Sequence, residues 1–269
     1  LWLAAEIARR GGPARGEAVF TFVGDEETLG PDGMAFLRDS GLVRPDVLIL
    51  GAQTENQLIV AERGVMWARI TTSGRAAHAG APHNGDNAIM RMVRVVGHLD
   101  RALAPLLQSR REGELRSTLN VGMFHGGHNT NVVPSLCTVE IDRRLLPGET
   151  VGAAFAELEA LVASAGEPDG TWRVEFLTGT NGFSARRDGP AVTAFVEEIA
   201  ARTGQGARFL TATGVSDGRY FADDGIEIIN FGPGSGAQGH AANESVPIAQ
   251  MVDAALIQLG VVRSLLGIG

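Results

Sequence analysis

Val65-Met66-Trp67-Ala68-Arg69-Ile70-Thr71-Thr72 reads as a β-strand, and the segments that follow it decide the fold. A helical pattern over Asn87–Leu103 comes next. Two strands, Ser117–Phe124 and Leu136–Leu145, then lead to a helix over Val151–Ala163 and a strand over Trp172–Leu177. That order is β-α-β-β-α-β, the split βαβ or ferredoxin-like unit, in which one sheet carries both helices on a single face. On either side the rhythm differs. Leu1 to about Ile59 reads helix, strand (Ala18–Val23), helix (Gly33–Ser40), strand (Val47–Leu50). After Thr178 come a helix over Ala191–Arg202, strands over Ala207–Thr211 and Glu227–Phe231, and a final helix over Ile248–Leu266. Such alternation with fully apolar strands is that of an α/β sheet covered by helices. The expected organisation is therefore an α/β domain in two parts, residues 1–61 and 178–269, with the βαββαβ unit of residues 62–177 inserted between them. Surface loops tolerate such insertions, and the cleft between two domains is a favoured place for an active site.

Composition excludes several classes. The 269 residues suffice for one large or two ordinary domains, and 44% hydrophobic with 20% charged residues is a globular balance. A net charge of −8 argues against nucleic acid and anionic membranes as partners. No apolar run approaches the roughly 18 residues needed to span a bilayer, and no signal peptide is visible. The single Cys137 forbids an internal disulfide and reads as a buried thiol, so the cytoplasm is the expected compartment. All 23 basic residues are arginine, which removes Schiff-base, pyridoxal-phosphate and P-loop lysine chemistry together. The chain starts in mid-helix without a Met, and the expectation is that a segment precedes Leu1.

The residues with chemistry lie in five short stretches. Gly24-Asp25-Glu26-Glu27 follows the apolar run Ala18–Val23, and adjacent residues leaving a strand point in opposed directions. One glutamate can bind a metal while the other faces the attacking water, the division that metal-assisted hydrolysis requires. Gly232 to Gly239 is glycine-rich without the dinucleotide spacing and reads as a loop delivering His240. The others are Gly74-Arg75-Ala76-Ala77-His78-Ala79-Gly80-Ala81-Pro82, Gly126-Gly127-His128-Asn129-Thr130-Asn131-Val132-Val133-Pro134 with Asp142-Arg143 beyond it, and Ser216-Asp217-Gly218-Arg219.

In this order and over essentially the whole chain, the stretches resemble the M20 family of zinc amidohydrolases and peptidases. That family includes acetylornithine deacetylase, succinyl-diaminopimelate desuccinylase, aminoacylase and glutamate carboxypeptidase relatives. The resemblance implies a zinc-peptidase-like α/β catalytic domain with the ferredoxin-like insert as lid and dimerisation domain. It implies one or two zinc ions, with cobalt or manganese as alternatives, a homodimer through the lid, and hydrolysis of an N-acyl amino acid or small dipeptide. By the same resemblance Glu26 is the general base and Glu27 and His240 are metal ligands. His78 reaches the other subunit's site as an oxyanion donor, and Asn131, Arg143 and Arg219 bind substrate. Arg143 has a plainer role open to it, pairing with Asp142. The remaining histidines, His83, His98, His125 and His128, read as structural or surface residues.

This sequence departs from the family pattern after the strand Val47–Leu50. Gly51-Ala52-Gln53-Thr54 stands where the family has an acidic metal ligand, and Ala52 cannot bind metal; Glu55 is the nearest substitute. The first metal-ligand histidine and the bridging aspartate of the pattern would lie upstream of Leu1. Two further readings remain. One is a catalytically impaired homologue with a binding or structural role. The other is a serine hydrolase, because Gly214-Val215-Ser216-Asp217-Gly218 satisfies the nucleophile-elbow pattern with Asp224 and His240 downstream.

Overall fold

The computed structural model describes residues 1–24, 26, 32–113, 115–210, 212, 214–239 and 242–269. The first stretch holds helices α1 (Trp2–Arg9) and α2 (Met34–Asp39) and strands β1 (Val47–Gly51), β2 (Leu58–Ile59) and β3 (Ala61–Glu62). The middle holds β4 (Gly64–Ser73), α3 (Ala88–Ser109), β5 (Arg111–Glu112), β6 (Leu115–Arg116), β7 (Thr118–Gly126), β8 (Leu136–Leu145), α4 (Val151–Ala163) and β9 (Trp172–Thr180). The last holds β10 (Phe183–Ser184), α5 (Pro190–Thr203), β11 (Phe209–Leu210), β12 (Glu227–Phe231) and α6 (Ile248–Leu266). Two compact units result: Leu1–Glu62 together with Phe183–Gly269, and Arg63–Gly182.

The middle unit is an antiparallel sheet in the order β7-β8-β4-β9, the ferredoxin-like topology. Side chains alternate across a strand, so Met66, Ala68 and Ile70 of β4 and Cys137, Val139 and Ile141 of β8 face the same way. They are buried with Ala88, Met92, Val95 and Leu99 of α3 and Ala154, Leu158 and Val162 of α4, which puts both helices over one face. Burial also pushes the Cys137 thiol pKa upward. Asn87 caps α3 by accepting from the Met90 N–H, and Thr150 caps α4 by accepting from the Ala153 N–H. Helix α3 passes the expected end at Leu103 and continues through Pro105 to Ser109, because Leu103 and Leu107 stay on its buried seam.

In the other unit the sheet order is β1-β12-β2-β11. Strands β1 and β12 pair in parallel from Val47↔Glu227 to Gly51↔Phe231, and short β2 joins β12 antiparallel and β11 parallel. Helices α5 and α6 cover this sheet, with Phe195, Ile199, Ile257 and Val261 buried against Leu58, Ile229 and Phe231. Two expectations fail here. Ala18–Val23 forms no strand: among the described residues no neighbouring strand pairs with it, and Val19 and Phe22 are exposed. Helix α6 also contradicts the reading that no apolar run is long enough to cross a bilayer, since an 18-residue window within its 19 residues has a mean hydropathy of 1.3. Here Ala254, Ile257 and Val261 of α6 pack into the core instead.

Candidate functional site

The first cluster is built around the turn Asp217–Phe221. Ser216 caps this turn, accepting from the Gly218 N–H at 3.2 Å, and Arg219 N–H donates to the Ser216 carbonyl at 3.1 Å. The turn sits so close to the sheet that a Cβ on Gly218 would lie 2.8–3.0 Å from Ile228, Phe183 and Leu50 side-chain carbons. Arg219 is 4% exposed. Its Nη2 donates to the Tyr220 hydroxyl at 3.0 Å and lies 3.3 Å from Asp217 Oδ1, and the guanidinium stacks on the Tyr220 ring. Its Nη1 lies 3.8 Å from Glu26 Oε1 and, though buried, has no hydrogen-bond partner among the described residues. The expected general base and one expected substrate-binding arginine are thus neighbours.

Two buried acids that sequence reasoning passed over complete this cluster. Glu62, 2% exposed at the end of β3, accepts from Ser216 N–H (2.5 Å), Ser216 Oγ (2.8 Å) and Asn230 Nδ2 (3.2 Å). Burial raises its pKa, opposed by those bonds and by the nearby Arg219 charge. Burial likewise raises the pKa of Asp217, against the pull of Arg219. Asp217 lay within a motif already singled out, whereas nothing local marked Glu62 as buried. These contacts also remove the serine-hydrolase reading. Ser216 Oγ donates to a carboxylate, it caps a 3-10 turn and no strand-to-helix elbow, and Asp224 is occupied by Arg38 at 2.6 Å.

Near the end of β1, the loop with Ala52 is laced to the loop that follows β12. Thr54, 1% exposed, accepts from the Gly232 N–H at 3.1 Å, and Asn56 N–H donates to the Gly232 carbonyl at 2.8 Å. Glu55 and Asn56 both adopt left-handed backbone (φ 53° and 57°), conformations that cost a glutamate more than an asparagine. The Glu55 side chain lies 3.9 Å from Arg208. Among the described residues no group of three or more His, Cys, Asp or Glu is placed to hold a metal ion. Two expected ligands, Glu27 and His240, lie outside the described residues.

The middle unit contributes a second pair. Residues 77–79 run antiparallel to residues 131–133: Ala79 N–H donates to the Asn131 carbonyl at 2.9 Å and Val133 N–H to the Ala77 carbonyl at 2.8 Å. His78 therefore sits opposite Val132 and Asn131 opposite Ala79, one position apart along the pairing, and both His78 and Asn131 are exposed. Gly80 N–H donates to His78 Nδ1 at 3.0 Å, which leaves Nε2 to carry the proton of a neutral ring.

Arg143, expected at the substrate, lies in the core of its unit. Strand alternation puts it on the same face as Cys137, Val139 and Ile141, and it is 1% exposed beneath α4. It pairs with Glu157 (2.6 Å), has Glu149 at 3.6 Å, and donates to the Ala154 carbonyl at 3.2 Å. It does not pair with Asp142, which accepts instead from Arg144 and from Trp67 Nε1. In this position Arg143 ties sheet to helix, while its buried Nε has no hydrogen-bond partner among the described residues.

Residues 60–170 match the peptidase dimerisation domain of the M20 type. Over 226 residues the chain is 30% identical to acetylornithine deacetylase of Edwardsiella ictaluri, covering 82% of this chain and 57% of the relative. The chain belongs to the M20 peptidase family. It is also 32% identical over 213 residues to a probable carboxypeptidase of Aspergillus flavus, covering 77% of this chain and 49% of that one. The chain thus spans about half to three fifths of the length of these M20 relatives. A Staphylococcus aureus tripeptidase superposes with a TM-score of 0.72 at 24% identity, covering 90% of this chain and 62% of that one. A dinuclear metal-binding M20 peptidase of Bacillus subtilis does so with 0.68 at 14% identity, covering 92% and 65%. At these identities the likeness establishes fold.

Proposed function

We propose that this chain is the greater part of a metal-dependent hydrolase that cleaves the amide bond of an N-acyl amino acid or small dipeptide. Its relatives named deacetylase and carboxypeptidase support that reaction class. The observation that carries the proposal within this chain is Arg219 Nη1, a buried donor without a hydrogen-bond partner among the described residues, 3.8 Å from Glu26. A guanidinium so placed can grip a substrate carboxylate while Glu26 takes a proton from the attacking water and passes it to the leaving amine. His78, with Nε2 as its donor, would stabilise the oxyanion, and Asn131 beside it would hydrogen-bond substrate. The ligands assigned to the metal are Glu27 and His240, with zinc as the ion and cobalt or manganese as replacements. The described residues supply no such ligand set, so no step here depends on one. A homodimer through the Arg63–Gly182 unit and a cytoplasmic location, consistent with the one buried Cys137, complete the reading.

The test is hydrolysis of a panel of N-acyl amino acids and dipeptides by the full-length gene product, before and after chelation and metal re-addition. Activity lost to the chelator and restored by zinc is the expected result. No metal-dependent turnover on any member would sink the proposal and favour a second reading, an M20 homologue with an impaired site. Ala52, standing where the family pattern has an acidic ligand, is the observation on that side.

A further inference from the structure

We propose that Glu62 is a positioning residue, whose buried carboxylate holds Ser216 and thereby sets Arg219 beside Glu26. Its functional half rests on the reading of Arg219 as the substrate-carboxylate clamp. A carboxylate with 2% exposure is expensive to keep, and a core strand end has no need of one. All three of its hydrogen bonds go to the elements that frame Arg219: two to Ser216, which opens the turn, and one to Asn230 of β12. From Ser216 the constraint passes on, because the Ser216 carbonyl accepts the Arg219 N–H and its hydroxyl accepts the Gly218 N–H. Gly218 is pinned against Ile228, Phe183 and Leu50, so the turn cannot relax toward the sheet if Ser216 moves. Glu62 is also part of the electrostatic surroundings of Arg219, whose charge acts on its carboxyl.

Glu62→Gln keeps the shape but turns one acceptor oxygen into a donor facing the Ser216 or Asn230 donors. In the full-length enzyme it should raise KM for substrates with a free carboxylate about tenfold with kcat changed far less, while the matching carboxamides keep their KM. A merely structural role would lower activity on both substrate types alike, and that result would overturn the proposal. A second readout needs no substrate. In 15N-arginine-labelled protein the Arg219 Nε–H signal, assigned by its loss in Arg219→Lys, should shift in Glu62→Gln. It should shift less in Ser216→Ala, which removes the two bonds of the Ser216 hydroxyl, to Glu62 and from the Gly218 N–H. That variant keeps the carboxylate and its bond from Ser216 N–H, so a folding failure of the first variant leaves the second to decide. An unmoved Arg219 signal in both would overturn the positioning role. A shifted signal in an enzyme that hydrolyses none of the panel would keep the positioning role and discard the hydrolase reading.

Discussion

The two units bury acidic groups in opposite ways. In Arg63–Gly182, acids and arginines come in matched sets. Glu167 accepts from Arg91 and Arg94, Asp86 from Arg91, and Glu157 from Arg110 and Arg143. The hydrogen bonds from these arginines hold the Glu167 and Asp86 carboxyls below their ordinary values. For Glu157 desolvation pushes upward, but Arg110 and Arg143 outweigh it and the net shift is down. In Leu1–Glu62 with Phe183–Gly269, Glu62 and Asp217 share a single arginine, Arg219, and desolvation wins: both are raised. Each arginine keeps one buried donor without a hydrogen-bond partner among the described residues, Nε of Arg143 and Nη1 of Arg219. The contrast lies in the acids: matched pairs hold Glu157 down, whereas Glu62 and Asp217 around Arg219 are raised. Perturbed, incompletely neutralised clusters of the second kind collect at functional sites. The difference separates Arg143 from Arg219, two residues that the motifs treat alike.

The sharpest way to break this comparison is Arg143→Ala. If Arg143 is structural, its loss leaves Glu157 short of a partner and opens a void under α4. The expected cost is about 3–5 kcal/mol of unfolding free energy, read by urea denaturation. A variant of unchanged stability with a raised KM would return Arg143 to the substrate. Gly218→Ala should cost less, about 1–3 kcal/mol, because Ile228, Phe183 and Leu50 must yield to the new Cβ. Its effect should appear as faster hydrogen exchange in the turn Asp217–Phe221 while the amides of β4 and β8 stay protected. Equal loss of protection in both units would show that the turn is not a local device.

Much of this was legible before any coordinates. Strand β8, helix α4, strand β12 and helix α6 fall on the residues read from the sequence, because apolar periodicity and caps such as Thr150 act locally. What was missed depends on partners. Ala18–Val23 has the residues of a strand, but a ladder needs a neighbour, and among the described residues none pairs with it. For Arg143 the motif points to substrate, whereas the alternation Cys137, Val139, Ile141, Arg143, Leu145 places it in the core. Of the candidate site, Glu26 with Arg219, and His78 with Asn131, are neighbours within their own units. Glu62 was invisible for a physical reason: Ser216 and Asn230, which hold it, lie more than 150 residues away.

The smallest expected effect tests the electrostatics directly. A carboxyl whose pKa is lowered on folding adds stability that is present above its unfolded value and lost as pH falls through the folded value. Glu157 and Glu167, with an ordinary value of 4.5, therefore give the Arg63–Gly182 unit stability at neutral pH that drains away below about pH 4.5. A carboxyl raised on folding does the reverse. Glu62 and Asp217 favour the folded state most when protonated, and their contribution falls as pH rises from their ordinary values of 4.5 and 3.8 toward the raised ones. Native-state hydrogen exchange between about pH 3 and 6 should show β4 and β8 losing protection on acidification, while β12 and the turn Asp217–Phe221 hold or gain it. Glu167→Gln should flatten the acid loss in the first region without touching the second. If both regions weaken in parallel as pH falls, the acids around Arg219 are as well compensated as those around Arg143, and the contrast between the two arginines disappears.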